Sequence, residues 1–100
     1  MSYEIIYIRQ RGEKMKLAYK EKMRQIGLNI NYYRRYRKLT QLQLAEKVNI
    51  SPCYVSQIER ALVKNAVSLP VLIAIAEVLN IEVAELFKFK DVAKAHDETG

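Results

Sequence analysis

Residues 40–60 constrain the fold more than any other part of the chain, because they contain two helix-start signals separated by eleven residues. Thr40 is followed three residues later by Gln43, which is the spacing of a capping box. Ser51 precedes a proline, and this pair is typical of the first residues of a helix. Asn49 lies between the two signals and tolerates the left-handed backbone that ends many helices. The stretch therefore predicts two short helices joined by a tight corner.

The apolar residues of this stretch follow the period of a helix. Leu44, Ala45 and Val48 fall on one face of the first predicted helix, and Val55 and Ile58 fall on one face of the second. These two faces must meet if the corner is to pack. The residues of the second helix that are consequently expected to face outward are Cys53, Tyr54, Ser56 and Gln57.

Residues of this stretch also match a known pattern. They are Leu39-Thr40-Gln41, Leu44-Ala45, Val48-Asn49-Ile50-Ser51 and Tyr54-Val55-Ser56-Gln57-Ile58-Glu59-Arg60. With them the chain resembles the helix-turn-helix of the lambda-repressor-like family, also called Xre-type or Cro-type regulators. Matching positions continue on both sides, so the resemblance covers about residues 24–87. It implies an all-α, five-helix DNA-binding domain, which we expect to occupy residues 17–87.

The resemblance implies roles for particular side chains. Those that would read bases in the major groove, from the second helix of the motif, are Cys53, Tyr54, Ser56 and Gln57. A glutamine is the most informative of these, because its amide can pair with two edge atoms of adenine. Gln41 would contact a phosphate at the start of the preceding helix, unless it serves only as part of the helix cap. Arg34 and Glu59 would form a partly buried ion pair with a structural role.

A basic, tyrosine-rich segment closes the first long helix, which is predicted over about residues 17–37. Tyrosines among arginines are typical of a nucleic-acid surface, although a plain solvated face is the alternative. The cations predicted to contact phosphates are Arg35, Arg37, Lys38 and Arg60. Gly27 interrupts this helix where another helix is expected to pass closely. Lys38 and Ala61 stand where the family usually has glycine, so these corners must differ or tolerate strain.

Charge is unevenly distributed along the chain, whose net charge is +6. Residues 1–60 carry 13 lysines and arginines against 5 acidic residues, whereas residues 61–100 carry 4 against 6. A basic half joined to a mildly acidic half favours a polyanion, here double-stranded DNA, as one partner over a merely soluble basic protein. Cys53 is the only cysteine, so no intrachain disulfide can form and a cytoplasmic location is expected.

Other function classes find no support in the sequence. The longest apolar run, residues 71–76, is too short to span a bilayer, and the basic helix lacks a wide apolar face for membrane binding. No glycine-rich phosphate loop and no nucleophile with an evident base occur, so neither an enzyme nor a cofactor is expected. His96 and Cys53 alone cannot form a metal site.

Residues 1–16 do not match the family, and we expect them to form an N-terminal arm or extension. Residues 3–8 are rich in β-forming residues and predict a short strand or an arm. A different hypothesis is that codons for residues 11–15 contain a purine-rich ribosome-binding sequence before Met15. In that case the natural protein would begin at Met15, and the preceding residues would be translated leader.

The fourth predicted helix begins at Ser68, with a proline in its first turn. Its predicted core face consists of Leu69, Leu72, Ile75, Ala76 and Leu79. A second apolar stripe and the apolar loop before the helix predict a dimer interface, formed by Leu62, Val63, Val71, Ala74 and Val78. The alternative for the stripe is packing against the fifth helix or the arm. Residues 88–100 are expected to form a polar tail.

Together these features predict a homodimeric, sequence-specific DNA-binding regulator, most simply a repressor that acts at operators near its own gene. The alternative is a protein-interaction module, such as an antitoxin. In that case the apolar loop and the second stripe would bind another protein, and DNA binding would be secondary.

Overall fold

The computed structural model describes the backbone of residues 2–64 and 67–88, and the side chains of residues 19–64 and 67–88. Within these ranges the chain forms five helices and no strand. They are α1 (Ser2–Tyr36), α2 (Gln41–Val48), α3 (Pro52–Glu59), α4 (Leu69–Leu79) and α5 (Val83–Leu86). The prediction of an all-α, five-helix domain is confirmed. The predicted polar tail falls outside the described residues, except for Lys88.

α2 and α3 begin where the sequence predicts, because their caps are local. The Thr40 hydroxyl accepts a hydrogen bond from the Gln43 N–H at 3.0 Å, and the Gln43 side chain accepts one from the Thr40 N–H at 2.8 Å. The Ser51 hydroxyl accepts from the N–H of Tyr54 at 3.0 Å. Asn49 ends α2 in the left-handed conformation, with φ 65°. These bonds and this one residue form the corner between the two helices.

α1 is longer than predicted, since it begins at Ser2 rather than near residue 17. The short strand expected over residues 3–8 is therefore wrong, because the backbone is helical from Ser2 onward. Residues 13–18 are mostly good helix formers, and they connect the N-terminal residues to a helix anchored in the core. Extending an existing helix costs much less free energy than nucleating a new one. The β-propensity of residues 3–8 therefore does not prevent them from joining α1. The hypothesis that the natural protein begins at Met15 stays untested.

The core lies where the second half of α1 meets α2, α3, α4 and α5. The buried apolar side chains are Ile26, Ile30, Leu44, Ala45, Val55, Ile58, Val67, Leu72, Ile75, Ala76, Leu79 and Leu86. The predicted inward faces of α2 and α3 belong to this set, apart from the half-buried Val48. None of the helices in the described part of the chain is long and apolar enough to cross a membrane.

Asn29 of α1 and Arg37, which directly follows α1, bond carbonyl oxygens at the ends of α4 and α5. The Asn29 amide donates to the carbonyl oxygens of Leu86 at 2.9 Å and Lys88 at 3.0 Å. The Arg37 guanidinium donates to the carbonyl oxygen of Leu79 at 2.8 Å. Helix ends leave such carbonyls without intrahelical partners, so these bonds fix α4 and α5 against α1.

α4 is apolar around most of its circumference, which made its buried face difficult to assign from sequence. Leu72 and three later residues are buried as predicted, but Leu69 is 56% exposed, so its assignment to the core is wrong. Ile73, one turn after Leu69, is 39% exposed. These two residues flank the buried face of α4 and extend its apolar surface into solvent.

Candidate nucleic-acid interface

The outward face of α3 forms the first part of the candidate interface. Cys53 and Gln57 are exposed, and Ser56 is half-buried, while the opposite face of α3 is buried in the core. Tyr54 is also half-buried, because it packs partly against the core. The four residues predicted to read bases therefore lie on one short helix, but Cys53 and Gln57 are the ones most fully presented to solvent.

The start of α2 forms the second part. The backbone N–H groups of Gln41 and Leu42 precede the N–H of Leu44, the first to bond within the helix, so they carry the positive end of the helix dipole. The Gln41 amide nitrogen Nε2 donates to Glu59 Oε1 at 3.1 Å. An amide nitrogen carries two hydrogens, so this bond fixes the side chain and leaves one hydrogen for another acceptor.

Glu59, the last residue of α3, joins these two parts. Its Oε2 accepts from Arg34 Nε at 2.6 Å, and its Oε1 accepts from Arg34 Nη2 at 3.2 Å. The same Oε1 accepts from Asn31 Nδ2 at 2.9 Å as well as from Gln41. We refer to Asn31, Arg34, Gln41 and Glu59 as the Glu59 cluster. Because its members come from α1, α2 and α3, the cluster holds the three helices at one point.

The Glu59 cluster is a buried ion pair with added hydrogen bonds. The side chains of Arg34 and Glu59 are 11% and 3% exposed. Burial acts to raise the pKa of the Glu59 carboxyl, but the hydrogen bonds from Arg34, Asn31 and Gln41 outweigh it, and the pKa lies below its ordinary value. The carboxylate is therefore ionised at neutral pH. A third bond of Arg34, from Nη1 to the carbonyl oxygen of Leu39 at 2.7 Å, also fixes the corner before α2.

α1 passes α3 at Gly27, and the contact is between backbones. A Cβ at this position would lie 2.5 Å from the carbonyl oxygen of Ile58 and 2.6 Å from that of Glu59. Atoms do not approach so closely, so this site requires glycine. The expectation of a close helix passage at Gly27 is confirmed. The contact sets the last turn of α3 directly on α1, which orients the outward face.

All four predicted phosphate-contacting cations are exposed, and three of them form no side-chain hydrogen bond within the described part of the chain. Arg35 lies in the last turn of α1 and Lys38 in the corner that follows it. Arg60 is the C-terminal cap residue of α3. Lys38 has a left-handed backbone with φ 58°, so the corner has the conformation usually given to glycine and the lysine tolerates the strain.

Arg37 is placed differently from the other three cations. Its guanidinium donates to the carbonyl oxygens of Leu79 at 2.8 Å and Asn80 at 3.3 Å, at the end of α4. It also lies 5.3 Å from the centre of the Tyr36 ring. Its side chain is therefore engaged in holding α1 to α4, and a phosphate contact would have to compete with these bonds.

The residues predicted to form a dimer interface do not all face solvent. Those that are half-buried and pack against the domain's own core are Val63, Val71 and Val78. Ala74 is also half-buried, and Leu62 is exposed. The large exposed apolar residues of α4 are instead Leu69 and Ile73. Helical spacing alone could not separate these sets, because nearly every position of α4 is apolar.

Sequence reasoning also missed Asn31, the third side chain that bonds Glu59. It lies one turn before Arg34, so its position was available, but an asparagine on a polar helix face gives no local signal of its partner. In the part of the chain that the structure describes, no group of three or more histidine, cysteine or acidic residues is arranged to hold a metal ion.

This chain matches both a family model and an individual protein of known function. A family model described as Helix-turn-helix matches residues 25–86, which run from the second half of α1 through α5. The immunity repressor protein of Bacillus phage phi105 is 44% identical over 61 residues, which are 61% of this chain and 41% of that protein. The chain therefore spans about two fifths of the length of this relative.

Solved structures show the same likeness. The crystal structure of SinR, the master regulator for biofilm formation, in complex with DNA is 35% identical, with a TM-score of 0.58 over 63% of this chain and 98% of that one. A complex of the SinR and SinI proteins is 29% identical, with a TM-score of 0.59 over 74% and 75% of the two chains. Since the family model covers more than half of the sequence, the chain belongs to this helix-turn-helix family, the lambda-repressor-like group.

Proposed function

We propose that this protein is a transcriptional repressor that binds double-stranded DNA as a homodimer, at operators near its own gene. The observation that carries the proposal is the Glu59 cluster. It ties the end of α3 to the start of α2, so the base-reading face and the phosphate-binding helix start are held in one fixed geometry. Preorganised contacts of this kind lower the ordering cost of binding.

Base reading is assigned first to Gln57. It is exposed on α3, while the opposite face of that helix is buried, so its amide is available to the major groove. An amide donor and acceptor side by side complement N6 and N7 of adenine. Cys53 lies on the same face with a small side chain, and Tyr54 and Ser56 contribute their exposed parts.

Phosphate binding is assigned to the start of α2 and to the exposed cations. The first N–H groups of α2 and the second amide hydrogen of Gln41 offer donors where the helix dipole is positive. Arg35, Lys38 and Arg60 add positive charge without any acidic partner among the bonds described above. Arg37 is assigned a structural role, because its guanidinium bonds the end of α4.

The test is fluorescence anisotropy with duplexes that tile the region upstream of the gene, compared with shuffled duplexes of the same composition. One duplex should bind more tightly than its shuffled partner. If each dimer neutralises about six phosphates, log K should fall with a slope of about −5 against log salt. Equal binding to all duplexes would contradict sequence-specific recognition, and a slope near zero would contradict the phosphate assignment.

The homodimer is assigned to the solvent-facing side of α4, with Leu62 from the preceding loop. α4 thus remains the dimer-forming helix, as predicted from sequence, and Ala74 lies at the edge of the proposed surface. Val71, Val78 and Val63 are left out of this surface, because they are half-buried and pack against the core. Ile73→Glu should convert dimer to monomer in sedimentation equilibrium without unfolding the chain. An unchanged dimer would place the interface elsewhere, with α1 as the next candidate.

A second candidate is a protein-interaction module in which DNA binding is secondary. The exposed apolar side chains of Leu69 and Ile73, one turn apart on α4, favour it, because neighbouring exposed apolar groups are typical of protein contacts. The likeness to SinR in its complex with SinI also supports it. Failure to bind any duplex from the upstream region, together with a stable complex with a protein encoded next to it, would favour this candidate.

A further inference from the structure

A cleft that shares only Arg60 with the proposed DNA surface lies between residues 19–24 of α1 and the segment that follows α3. It has a volume of about 480 Å³ and is bounded by residues 19–24 and 58–64. We call it the α1–α3 cleft. Its floor is apolar, because it is formed by the half-buried Met23 and Val63 and the buried Ile58.

The rim of the α1–α3 cleft is positively charged. Four exposed cations line it: Lys20, Arg24, Arg60 and Lys64. No acidic side chain belongs to its lining as the structure describes it. Glu21 lies outside the lining and forms an ion pair with Arg24 at 3.0 Å, so its charge offsets one of the four cations and the rim stays positive. An occupant must therefore bring negative charge to the rim.

The shape of the cleft is held by the turn after α3. Ala61 has a left-handed backbone with φ 56°. Its N–H donates to the carbonyl oxygen of Ile58 at 3.1 Å, and the N–H of Leu62 donates to that of Gln57 at 2.8 Å. These two bonds close the end of α3 as a Schellman-type cap and place the following segment opposite α1. The cleft is therefore formed before any partner arrives, which lowers the cost of binding.

We propose that the α1–α3 cleft is a docking site for an acidic amphipathic helix of a partner protein. The combination of floor and rim carries the proposal. A DNA backbone would satisfy the cations but has no apolar group to fill the concave floor. A helix with leucines one turn apart and flanking glutamates or aspartates satisfies both, because its apolar stripe enters the floor and its carboxylates meet the rim.

Arg60 gives this docking site a regulatory consequence, which rests on the function proposed above. It belongs to the cationic rim and also to the cations assigned to DNA phosphates. An acidic helix in the cleft would occupy this arginine and add negative charge beside the end of α3. Partner and DNA then bind in competition, and the partner releases the protein from its operator.

The docking site can be tested on the full chain with a synthetic helical peptide of about eighteen residues. Leucines recur in the peptide at helical spacing, and the other positions are glutamate and alanine. In ¹H–¹⁵N spectra the amide shifts should change at residues 19–24 and 58–64, and the affinity should fall as salt is added. A matched peptide with lysine in place of glutamate should not bind. Shifts centred elsewhere, or equal binding of the lysine peptide, would overturn the proposal.

Two exposed lysines provide the matched variants. Lys64→Glu reverses a rim charge and should weaken the acidic peptide about tenfold, whereas Lys47→Glu on α2 reverses a charge outside the cleft and should change the affinity about twofold at most. Circular dichroism verifies that both variants fold. Equal effects of the two variants would overturn the rim assignment.

A competition experiment separates this inference from the proposed function. The acidic peptide should displace a labelled upstream duplex from the wild-type chain, but much less well from Lys64→Glu. If the peptide binds in the cleft and no duplex binds at all, the DNA-binding proposal fails and the docking site stands. If duplex DNA shifts the cleft residues and the peptide does not, the cleft is part of the DNA surface and the docking proposal fails.

Discussion

The two faces of α3 meet different requirements. The inward face ends in Glu59, which bonds α1 and α2 through the Glu59 cluster, and its backbone touches Gly27. The outward face carries Cys53 and Gln57, whose side chains are exposed. A change on the inward face alters how three helices meet. A change on the outward face alters only what α3 presents. In this domain, stability and recognition can therefore be changed separately on one helix of eight residues.

The largest loss of stability is expected from the inward face. Glu59→Ala leaves the Arg34 guanidinium buried without its counter-charge, and breaking such a pair costs about 3–5 kcal/mol. Urea unfolding followed by circular dichroism measures the free energy of unfolding. Glu46→Ala, at an exposed site on α2, is the control and should change this free energy by about 0.5 kcal/mol or less. Equal effects would mean that the cluster does not stabilise the fold.

The same carboxylate predicts a dependence on pH. Since the pKa of Glu59 is lowered on folding, its stabilising contribution is complete above the ordinary value of 4.5 and is lost as the pH falls through the folded pKa. Wild type and Glu59→Gln should therefore differ most in unfolding free energy near neutral pH and least in strong acid. A difference that stays constant down to pH 2 would contradict this assignment.

Gly27→Ala tests the backbone contact on the same face. The new Cβ would overlap the carbonyl oxygens of α3, so the helices must separate, and overpacking of this kind costs about 1–3 kcal/mol or more. Thermal unfolding of the variant should be compared with that of Leu28→Ala, the exposed neighbour on α1. An alanine at position 27 that leaves the melting temperature unchanged would show that α1 and α3 can move apart freely.

Gln57→Ala tests the outward face. It should weaken the natural operator by about 1–3 kcal/mol and relax the preference at one symmetric pair of base positions. These positions should lie in half-sites about 34 Å apart, if the dimer contacts successive turns of the duplex. The unfolding free energy should barely change. Binding to a library of single-base operator variants at fixed salt measures the effect.

The alternative result for Gln57 is equally informative. An equal loss of affinity for every operator variant would show that Gln57 contacts only the DNA backbone. Base reading would then pass to Cys53, Tyr54 or Ser56, and the comparison between the two faces would remain valid with a different reader.

The smallest change in the free energy of unfolding is expected at Ala61, directly after the end of α3. Ala61 has φ 56°, a conformation that costs an L-residue about 1–2 kcal/mol, and glycine removes this strain but gains freedom in the unfolded chain. Ala61→Gly should therefore stabilise the protein by up to about 1 kcal/mol. Ala84→Gly, at an exposed helical position in α5, should destabilise it by about the same amount. If both substitutions shifted the free energy of unfolding in the same direction, the result would contradict the backbone strain at Ala61.

The corner between α2 and α3 was predictable from sequence because capping is local. The hydroxyls of Thr40 and Ser51 bond N–H groups three residues away, so short sequence patterns contain the whole interaction. The Glu59 cluster was predictable only in part. Its ion pair follows from the family resemblance, but the bond from Asn31 joins residues 28 positions apart, and nothing near Asn31 identifies that partner.

Two predictions failed for other reasons: the burial of Leu69 on α4, where several faces are equally apolar, and the strand at residues 3–8, where β-propensity was the only signal. Leu69 and Leu72 have the same side chain three residues apart, and only the packing of the whole domain decides which is buried. The β-forming residues 3–8 join a helix because the helix after them is already fixed in the core. The hydrogen bonds of Arg37 were also not predictable, because it resembles its neighbours Arg35 and Lys38 in sequence, yet it bonds the carbonyl oxygen of Leu79, 42 residues downstream. Its phosphate contact stays a prediction.

The hydrogen bonds from α1 to the last helices also govern the order in which the domain can be completed during translation. Asn29 bonds carbonyls 57 and 59 residues downstream, so α1 leaves the ribosome long before its partners exist. Until the segment through Lys88 has emerged, α1 can pack only on α2, α3 and α4, and the part of its surface that contacts α5 remains open to solvent. The domain therefore gains the contacts between α1 and α5 in one late step, when α5 docks against α1.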